Sequence, residues 1–283
     1  MTPTITSTPR AESPASPELA SLSEQYKSEG YALARGLFNP DEVEQIKTHF
    51  MNIQRDGIPG VFEPGKPGEA GADPKDPLNQ FPRFIHPHLH DALSFRYMLD
   101  PRVGAVLETL LGEPALAVQT MFYYKPPGAR GQAMHQDQFY LLVEPGTCMA
   151  AWTAIDDCDE ENGGMMVVPN TDDIDVVCPT DTADTAASFT KHYVAVPEGK
   201  KPLLVRMKAG DTLFFNGSLI HGSGPNRSKT RFRRSFIAHY ATGDAQKIAA
   251  YYQPAYRMDG SVVGLETNTT GGPCGTGWAG GTH

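Results

Sequence analysis

The sequence lacks the features that would place it in a membrane or on nucleic acid. No stretch of its 283 residues approaches the roughly 20 consecutive apolar residues of a membrane-spanning helix. The first 17 residues have neither the basic nor the apolar region of a signal peptide. Basic residues number 24 against 33 acidic ones, and the resulting net charge of -9 disfavours binding to phosphate backbones. We therefore expect a soluble cytoplasmic protein without membrane or nucleic-acid partners, and no feature indicates an oligomeric state.

Cysteine is also scarce. Cys148, Cys158, Cys178 and Cys274 are widely spaced, and none belongs to a C-x-x-C pair. A chain of this length buries enough apolar surface to fold without disulfide bonds. We predict that all four are reduced thiols and that most are buried.

Composition divides the chain into three parts. Residues 1–17 are rich in Pro, Ser and Thr without apolar periodicity, which predicts a disordered segment. Residues 18–266 are predicted to form a single domain, in which the Gly- and Pro-rich stretch 56–84 is interpreted as a long loop and possible lid. Short β-rich runs between about 115 and 240 predict a sandwich or barrel. The Gly-rich tail, 267–283, is predicted to be irregular.

Capping residues and apolar spacing predict three helices in the N-terminal half. They run from Pro17 to Glu29, from Asn39 past Phe50, and from Asp100 to Gly112. A short strand is predicted from Tyr31 to Leu37. The later strands are predicted at 115–125, 147–156, 164–169, 203–207, 211–216 and 231–240.

A histidine and an aspartate two residues apart form the strongest candidate site. On an extended strand, His135 and Asp137 would project from the same face. His221 offers a third ligand from another strand, and Gly222 after it would leave room beside a metal. Two histidines and one carboxylate leave roughly three positions open on an octahedral ion, as iron(II) requires to bind an oxo acid and dioxygen together. Zinc could bind the same side chains, although the ligand set of a closed structural zinc site is missing.

Two other polar clusters are weaker candidates. His86, His88 and His90 are not accompanied by a carboxylate-and-histidine partner set at a strand end, and we interpret them as part of a loop beside the pocket. The acidic run 156–162 lacks the glycine and glutamate of a calcium loop and is predicted to be a solvated turn.

A cluster of arginines follows His221. A chelated oxo acid such as 2-oxoglutarate leaves a distal carboxylate, for which a buried guanidinium is the best partner. We interpret residues 230–240 as a strand with Arg231 and Arg233 on one face and Arg234 on the other. Apolar neighbours indicate that part of this cluster is buried, and the remainder is predicted to be a solvated basic edge.

These motifs resemble, in their order, those of the phytanoyl-CoA dioxygenase family of iron(II)- and 2-oxoglutarate-dependent oxygenases. The matching segments are 120–127, 135–137, 150–154, 161–164, 167–169, 210–215, 221–224 and 232–234. The resemblance implies a mainly β fold of α+β class, a double-stranded β-helix (jelly roll, cupin-like) with the N-terminal helices packed on one sheet.

The resemblance also implies roles for individual residues. Carried over by position, His135, Asp137 and His221 are the iron ligands, and Arg233 is the partner of the distal carboxylate of 2-oxoglutarate.

Five further residues are predicted to line the co-substrate pocket. Ser223, Trp152 and Met121 occupy pocket positions of the family, although Trp152 and Met121 are equally typical of a core. Tyr123 shares a strand face with Met121, and Gln132 precedes the first histidine ligand by three positions.

The implied activity is that of an oxidoreductase using iron(II), 2-oxoglutarate and dioxygen. Related halogenases replace the carboxylate ligand, so Asp137 favours hydroxylation of an unactivated C–H bond in a small metabolite or natural-product intermediate, with release of succinate and CO2. Desaturation, epoxidation or ring formation would use the same residues. The alternatives from other classes are a non-catalytic metal-binding jelly-roll protein and a zinc- or manganese-dependent enzyme.

Overall fold

The computed structural model describes residues 16–65, 75–181 and 184–278. All but the last two residues of the predicted disordered segment, 1–17, lie outside these ranges, as do residues 279–283 of the predicted tail.

The described part of the chain contains six α-helices. They are α1 Ser16–Glu29, α2 Pro40–Asp56, α3 Pro77–Gln80, α4 Ala92–Met98, α5 Pro101–Leu111 and α6 Gln138–Leu141. The predicted cap of α2 is present, because the Asn39 side chain accepts from the backbone N–H of Glu42 while the Glu42 carboxylate accepts from that of Asn39. Gly30, at φ +81°, follows the last residue of α1.

Strands make up most of the remaining regular structure. They are β1 Tyr31–Ala34, β2 Phe84–Ile85, β3 Leu116–Tyr123, β4 Gln132–His135, β5 Cys148–Ala154, β6 Met165–Val167, β7 Thr180–Asp181, β8 His192–Tyr193, β9 Leu203–Leu204, β10 Thr212–Asn216, β11 His221–Ser223, β12 Ser235–Ala241, β13 Lys247–Ile248, β14 Ala255–Arg257, β15 Val262–Val263 and β16 Glu266–Thr267.

Two antiparallel sheets carry the fold. The larger has the order β1-β10-β5-β12-β3-β14-β15, with β2 also paired to β3, and the smaller has the order β4-β11-β6-β9. The pairs β13–β16 and β7–β8 lie outside these sheets. The predicted mainly β, cupin-like jelly-roll class is confirmed.

Side chains of the larger sheet alternate between two apolar cores. Phe236 on β12 belongs to the core beneath the helices, whereas its neighbour Ile237 belongs to the core that faces the smaller sheet. On the helical side, Phe50 of α2 stacks on Phe122 of β3 with ring centroids 4.0 Å apart. The N-terminal helices therefore cover one face of this sheet, and the other face is available for a site.

Several predicted boundaries differ from the structure. Residues 231–234 precede β12 instead of belonging to it, and the predicted loop 56–84 contains the one-turn helix α3 and the start of β2. His135 and His221 lie on strands as predicted, but the bounds of β4 and β11 were not predicted, because four and three residues are too few for a period-2 pattern to define them.

The prediction of four reduced thiols is wrong for two of them. Cys148 and Cys158 are free and buried, but Cys178 and Cys274 form a disulfide. Cys178 lies in the segment between β6 and β7, and Cys274 lies in the short 3-10 helix Gly272–Cys274. The pairing was not predicted, because the two cysteines are separated by 96 in sequence and approach each other only in the folded chain.

Among the described residues, no helix is long and apolar enough to cross a membrane.

We expect the disulfide to stabilise the fold by closing a long loop in the unfolded chain. Cys178→Ser and Cys274→Ser should each lower the free energy of unfolding by about 2–4 kcal/mol, measured by chemical denaturation. Reductant should lower the stability of the unmodified chain to the same value and leave either variant unchanged. An equal effect of reductant on the variants would contradict this assignment.

Candidate functional site

Three predicted side chains converge between the two sheets. His135 ends β4 and His221 begins β11, and antiparallel pairing sets these residues opposite each other. Asp137 Oδ1 lies 3.5 Å from Nε2 of both histidines. The three side chains are buried, and one ligand atom from each lies within 4.8 Å of the other two. Such a group could hold one metal ion.

The backbone conformation at Asp137 differs from the predicted extended strand. β4 ends at His135, and Asp137 has helical backbone angles, φ −65° and ψ −34°, as the residue before α6. The chain therefore turns between the two residues instead of continuing as a strand. The convergence is as predicted, but strand alternation is not its cause.

The hydrogen bonds of the two imidazoles fit a cation between them. Nδ1 of His135 lies 2.8 Å from the Ala133 carbonyl, and Nδ1 of His221 lies 2.9 Å from that of Leu219. A carbonyl only accepts, so each Nδ1 carries the proton and each Nε2 presents a lone pair. Two lone pairs and a carboxylate oxygen thus meet in a buried space, as the ligand set of a divalent metal requires.

A third histidine, His239 on β12, contacts the Asp137 carboxylate at the oxygen that does not face the two other histidines. Its Nε2 donates to Asp137 Oδ2 across 3.1 Å, so the two carboxylate oxygens have different neighbours. Sequence reasoning missed His239, although a histidine inside the fully buried strand Ser235–Ala241 is a recognisable signal.

Gly222 serves strand packing more than space beside a metal. A Cβ there would lie 2.9 Å from the carbonyl oxygen of Gln132 on β4. The glycine therefore lets β11 approach β4 closely, which brings the two histidine ligands together.

All nine predicted site residues line one cavity. Six residues lie around the triad as predicted, namely Met121, Tyr123, Gln132, Trp152, Ser223 and Arg233. The cavity wall also includes residues that were not predicted, namely Met165, Phe215, Gly222, Ile237 and His239. Gln132 lies close to the triad, because its Nε2 is 3.1 Å from Nε2 of His135.

Arg233 is buried at the end of the cavity with no described carboxylate beside it. Its guanidinium donates to the Gly163 carbonyl at 3.2 Å, to Ser235 Oγ at 3.1 Å and to Ser223 Oγ at 3.4 Å. Its Cζ lies 5.2 Å from the ring centroid of Trp152. Burial lowers the pKa of Arg233, so an anion bound here would relieve an uncompensated charge.

The other two arginines of the cluster point elsewhere. Arg231 lies nearer solvent and pairs with Asp159 and Glu161, and Arg234 pairs with Asp156. The prediction that Arg231 and Arg233 share a face is wrong, because these residues precede the strand.

A second buried cation, Lys125, escaped prediction although it lies in a motif that carried the resemblance. Its Nζ donates to Ser223 Oγ at 2.9 Å and to the Gly163 carbonyl at 3.0 Å. Burial and the neighbouring Arg233 lower the pKa of Lys125 well below its ordinary value.

The predicted histidine loop lies outside the triad. Nδ1 of His88 lies 2.8 Å from Thr120 Oγ1, and burial lowers the pKa of His88 to about 3. Among the described residues, the only group with metal-ligand geometry is the triad.

The family model for phytanoyl-CoA dioxygenase matches residues 26–235. The chain belongs to the phytanoyl-CoA dioxygenase family. It is thus a 2-oxoglutarate-dependent dioxygenase, whose cofactors are iron(II), 2-oxoglutarate and dioxygen.

Similar curated proteins carry the family's name. The peroxisomal phytanoyl-CoA dioxygenase of Mus musculus is 29% identical over 234 residues, covering 79% of this chain and 68% of that protein. A probable phytanoyl-CoA dioxygenase of Caenorhabditis elegans is 29% identical over 233 residues, covering 77% and 74%. The cytoplasmic location of this chain stays a prediction.

Solved structures share the fold. The epimerase SnoN in complex with Fe3+, alpha ketoglutarate and nogalamycin RO has a TM-score of 0.64 at 22% identity, covering 83% of this chain and 86% of that one. EctD from S. alaskensis with 2-oxoglutarate and 5-hydroxyectoine has a TM-score of 0.60 at 20% identity, covering 79% and 76%.

Replacing His239 should weaken metal binding without unfolding the chain. His239→Phe removes the donor that orients Asp137, and losses of about 10–100-fold in metal affinity are typical of such changes. Manganese(II) titration followed by electron paramagnetic resonance measures this without turnover.

The matched control is His49→Phe, because His49 forms a comparable pair with Asp91, Nε2–Oδ1 3.0 Å, away from the triad. Equal metal affinity in both variants would show that His239 does not position the ligand.

Proposed function

We propose that the chain hydroxylates an unactivated C–H bond of a small molecule and releases succinate and CO2. In this proposal His135, Asp137 and His221 hold iron(II), and Arg233 pairs with the distal carboxylate of 2-oxoglutarate. The observation that carries the proposal is that three metal-ligand acceptors and the buried guanidinium of Arg233 line the same cavity. An oxo dicarboxylate bound between a metal and a guanidinium matches both groups.

The residues around the triad would bind and orient the reactants. Iron(II) held here would couple the oxidative decarboxylation of the oxo acid by dioxygen to oxidation of the C–H bond. The metal would supply this redox chemistry, which no side chain of the protein can supply. His239 fixes which oxygen of Asp137 faces the histidines. The apolar side chains of Met121, Trp152 and Ile237 exclude water from the space above the ligands.

A second cavity beside the first is the proposed binding space for the primary substrate. Its volume is about 220 Å³, and it shares Tyr123 and Arg233 with the triad cavity. Aromatic side chains, among them Phe81 and Phe189, form much of its wall. It exceeds the roughly 150 Å³ of an apolar cavity that binds benzene, which supports a small-molecule substrate.

Part of the predicted lid borders this space. Four residues of the stretch 56–84 contribute to the cavity wall, namely Leu78, Phe81, Pro82 and Arg83. Residues 66–74 of that stretch lie outside the described ranges. A lid role for 56–84 stays a prediction.

Products distinguish hydroxylation from desaturation and ring formation. A metabolite library is screened under ¹⁸O₂ for compounds that increase succinate release. Hydroxylation predicts one labelled oxygen in succinate and one in the oxidised product, whereas desaturation or ring formation leaves the product unlabelled. An unlabelled product would refute hydroxylation, and metal binding without succinate release from any compound would favour the non-catalytic alternative.

The proposed carboxylate partner is tested by binding. Arg233→Ala should weaken 2-oxoglutarate binding to the anaerobic iron(II) protein by about tenfold or more, as expected for a lost hydrogen bond between charged groups. Calorimetric titration measures the affinity. Arg231→Ala, which removes a surface guanidinium two positions away, is the control and should bind normally. Unchanged affinity in Arg233→Ala would favour the zinc- or manganese-dependent alternative.

A further inference from the structure

Lys125 occupies an unusual place for a lysine. The side chain is buried, and all of its side-chain hydrogen bonds end on the Gly163 carbonyl, the Gly224 carbonyl and the Ser223 hydroxyl. These three acceptors match the three N–H donors of an ammonium group. Among the described residues no carboxylate pairs with it, and burying a charge without a counter-ion is unfavourable.

The backbone at Lys125 is strained as well. Its φ is +38°, a region that residues other than glycine rarely adopt. Its carbonyl accepts from the backbone N–H of Arg233 at 3.1 Å and from Asn226 Nδ2 at 3.0 Å. The strained turn thus holds Lys125 directly beside Arg233, and such strain persists where the surrounding structure enforces it.

The two cations share acceptors. The Gly163 carbonyl accepts from both Lys125 and Arg233, and so does the Ser223 hydroxyl oxygen. A hydroxyl has two lone pairs and one hydrogen. The Ser223 hydroxyl oxygen also accepts from the backbone N–H of Gln132 at 3.4 Å. With its lone pairs engaged by these donors, the hydrogen of Ser223 remains for an acceptor elsewhere, and Ser223 lines the triad cavity.

We propose that Lys125 is a positioning residue: by donating to the Ser223 hydroxyl oxygen, it leaves the hydroxyl hydrogen free to donate toward the distal carboxylate of the co-substrate. Lys125 itself does not touch the ligand, since its donors are engaged by the protein. The pair makes the site selective for oxo acids that end in a carboxylate. The inference rests on the proposed placement of that carboxylate at Arg233.

Paired ligands test this role by equilibrium binding to the anaerobic iron(II) protein. The two ligands are 2-oxoglutarate and 2-oxopentanoate, which keeps the oxo acid and chain length but ends in a methyl group. Lys125→Met should weaken 2-oxoglutarate binding by about tenfold or more and leave 2-oxopentanoate binding unchanged. Lys208→Met, which removes an exposed lysine paired with Asp157, is the control and should alter neither affinity.

A double-mutant cycle tests the route through the hydroxyl. Ser223→Ala should reproduce the selective loss, and Lys125→Met combined with Ser223→Ala should bind 2-oxoglutarate better than the two single effects multiplied would predict. Multiplicative effects would mean that Lys125 acts independently of Ser223 and would overturn the proposal. Equal weakening of both ligands by Lys125→Met would reduce Lys125 to a structural role and overturn it too.

Two further measurements keep the test decisive. If Lys125→Met fails to fold, Lys125→Leu, which likewise removes every donor to Ser223, should show the same selective loss. Ser223→Ala stands on its own, because unchanged 2-oxoglutarate binding in that variant would refute the proposal. Failure of the unmodified chain to bind 2-oxoglutarate would refute the co-substrate placement, which is a different outcome from unselective variants of a chain that binds it.

Discussion

The pairing of β4 with β11 is the constraint on which the site depends. It sets His135 opposite His221 in the smaller sheet, and Gly222 allows the two strands to approach closely. Asp137 then needs only the turn into α6 to bring its carboxylate between the two imidazoles. Because the three atoms are acceptors in a buried space, their mutual repulsion is relieved only by a cation. The fold thus holds the three ligand atoms at positions where one metal ion could bind all of them.

The cavity brings together groups of opposite electrostatic character. Asp137 and the histidine lone pairs would attract a cation, whereas the guanidinium of Arg233 lines the same cavity, and the buried amine of Lys125 shares its acceptors. In a buried environment such charges interact more strongly than in water. The chain as a whole carries a net charge of -9, so the local cations, and not the overall charge, favour an anionic co-substrate.

Local patterns predicted many of the elements, because their causes lie within a few residues. The cap at Asn39 and the apolar spacing of α2 are examples, and the alternation in β3 and β12 is another. The short strands β4 and β11 carry the two histidines, as predicted, but their bounds were not predicted, since each strand is formed by pairing with a partner distant in sequence. The Cys178–Cys274 disulfide was mispredicted for the same reason.

The sequence by itself determined the candidate metal-ligand residues and the family to which the chain belongs, and it predicted the arginine for the oxo acid, because these depend on chemistry and order along the chain. Only the tertiary structure decided which cations are buried, separating Arg233 from Arg231 and bringing Lys125 beside it. The tertiary structure also brought His239 within hydrogen-bond distance of Asp137. Burial and hydrogen-bond partners are properties of contacts between distant segments, so no local pattern specifies them.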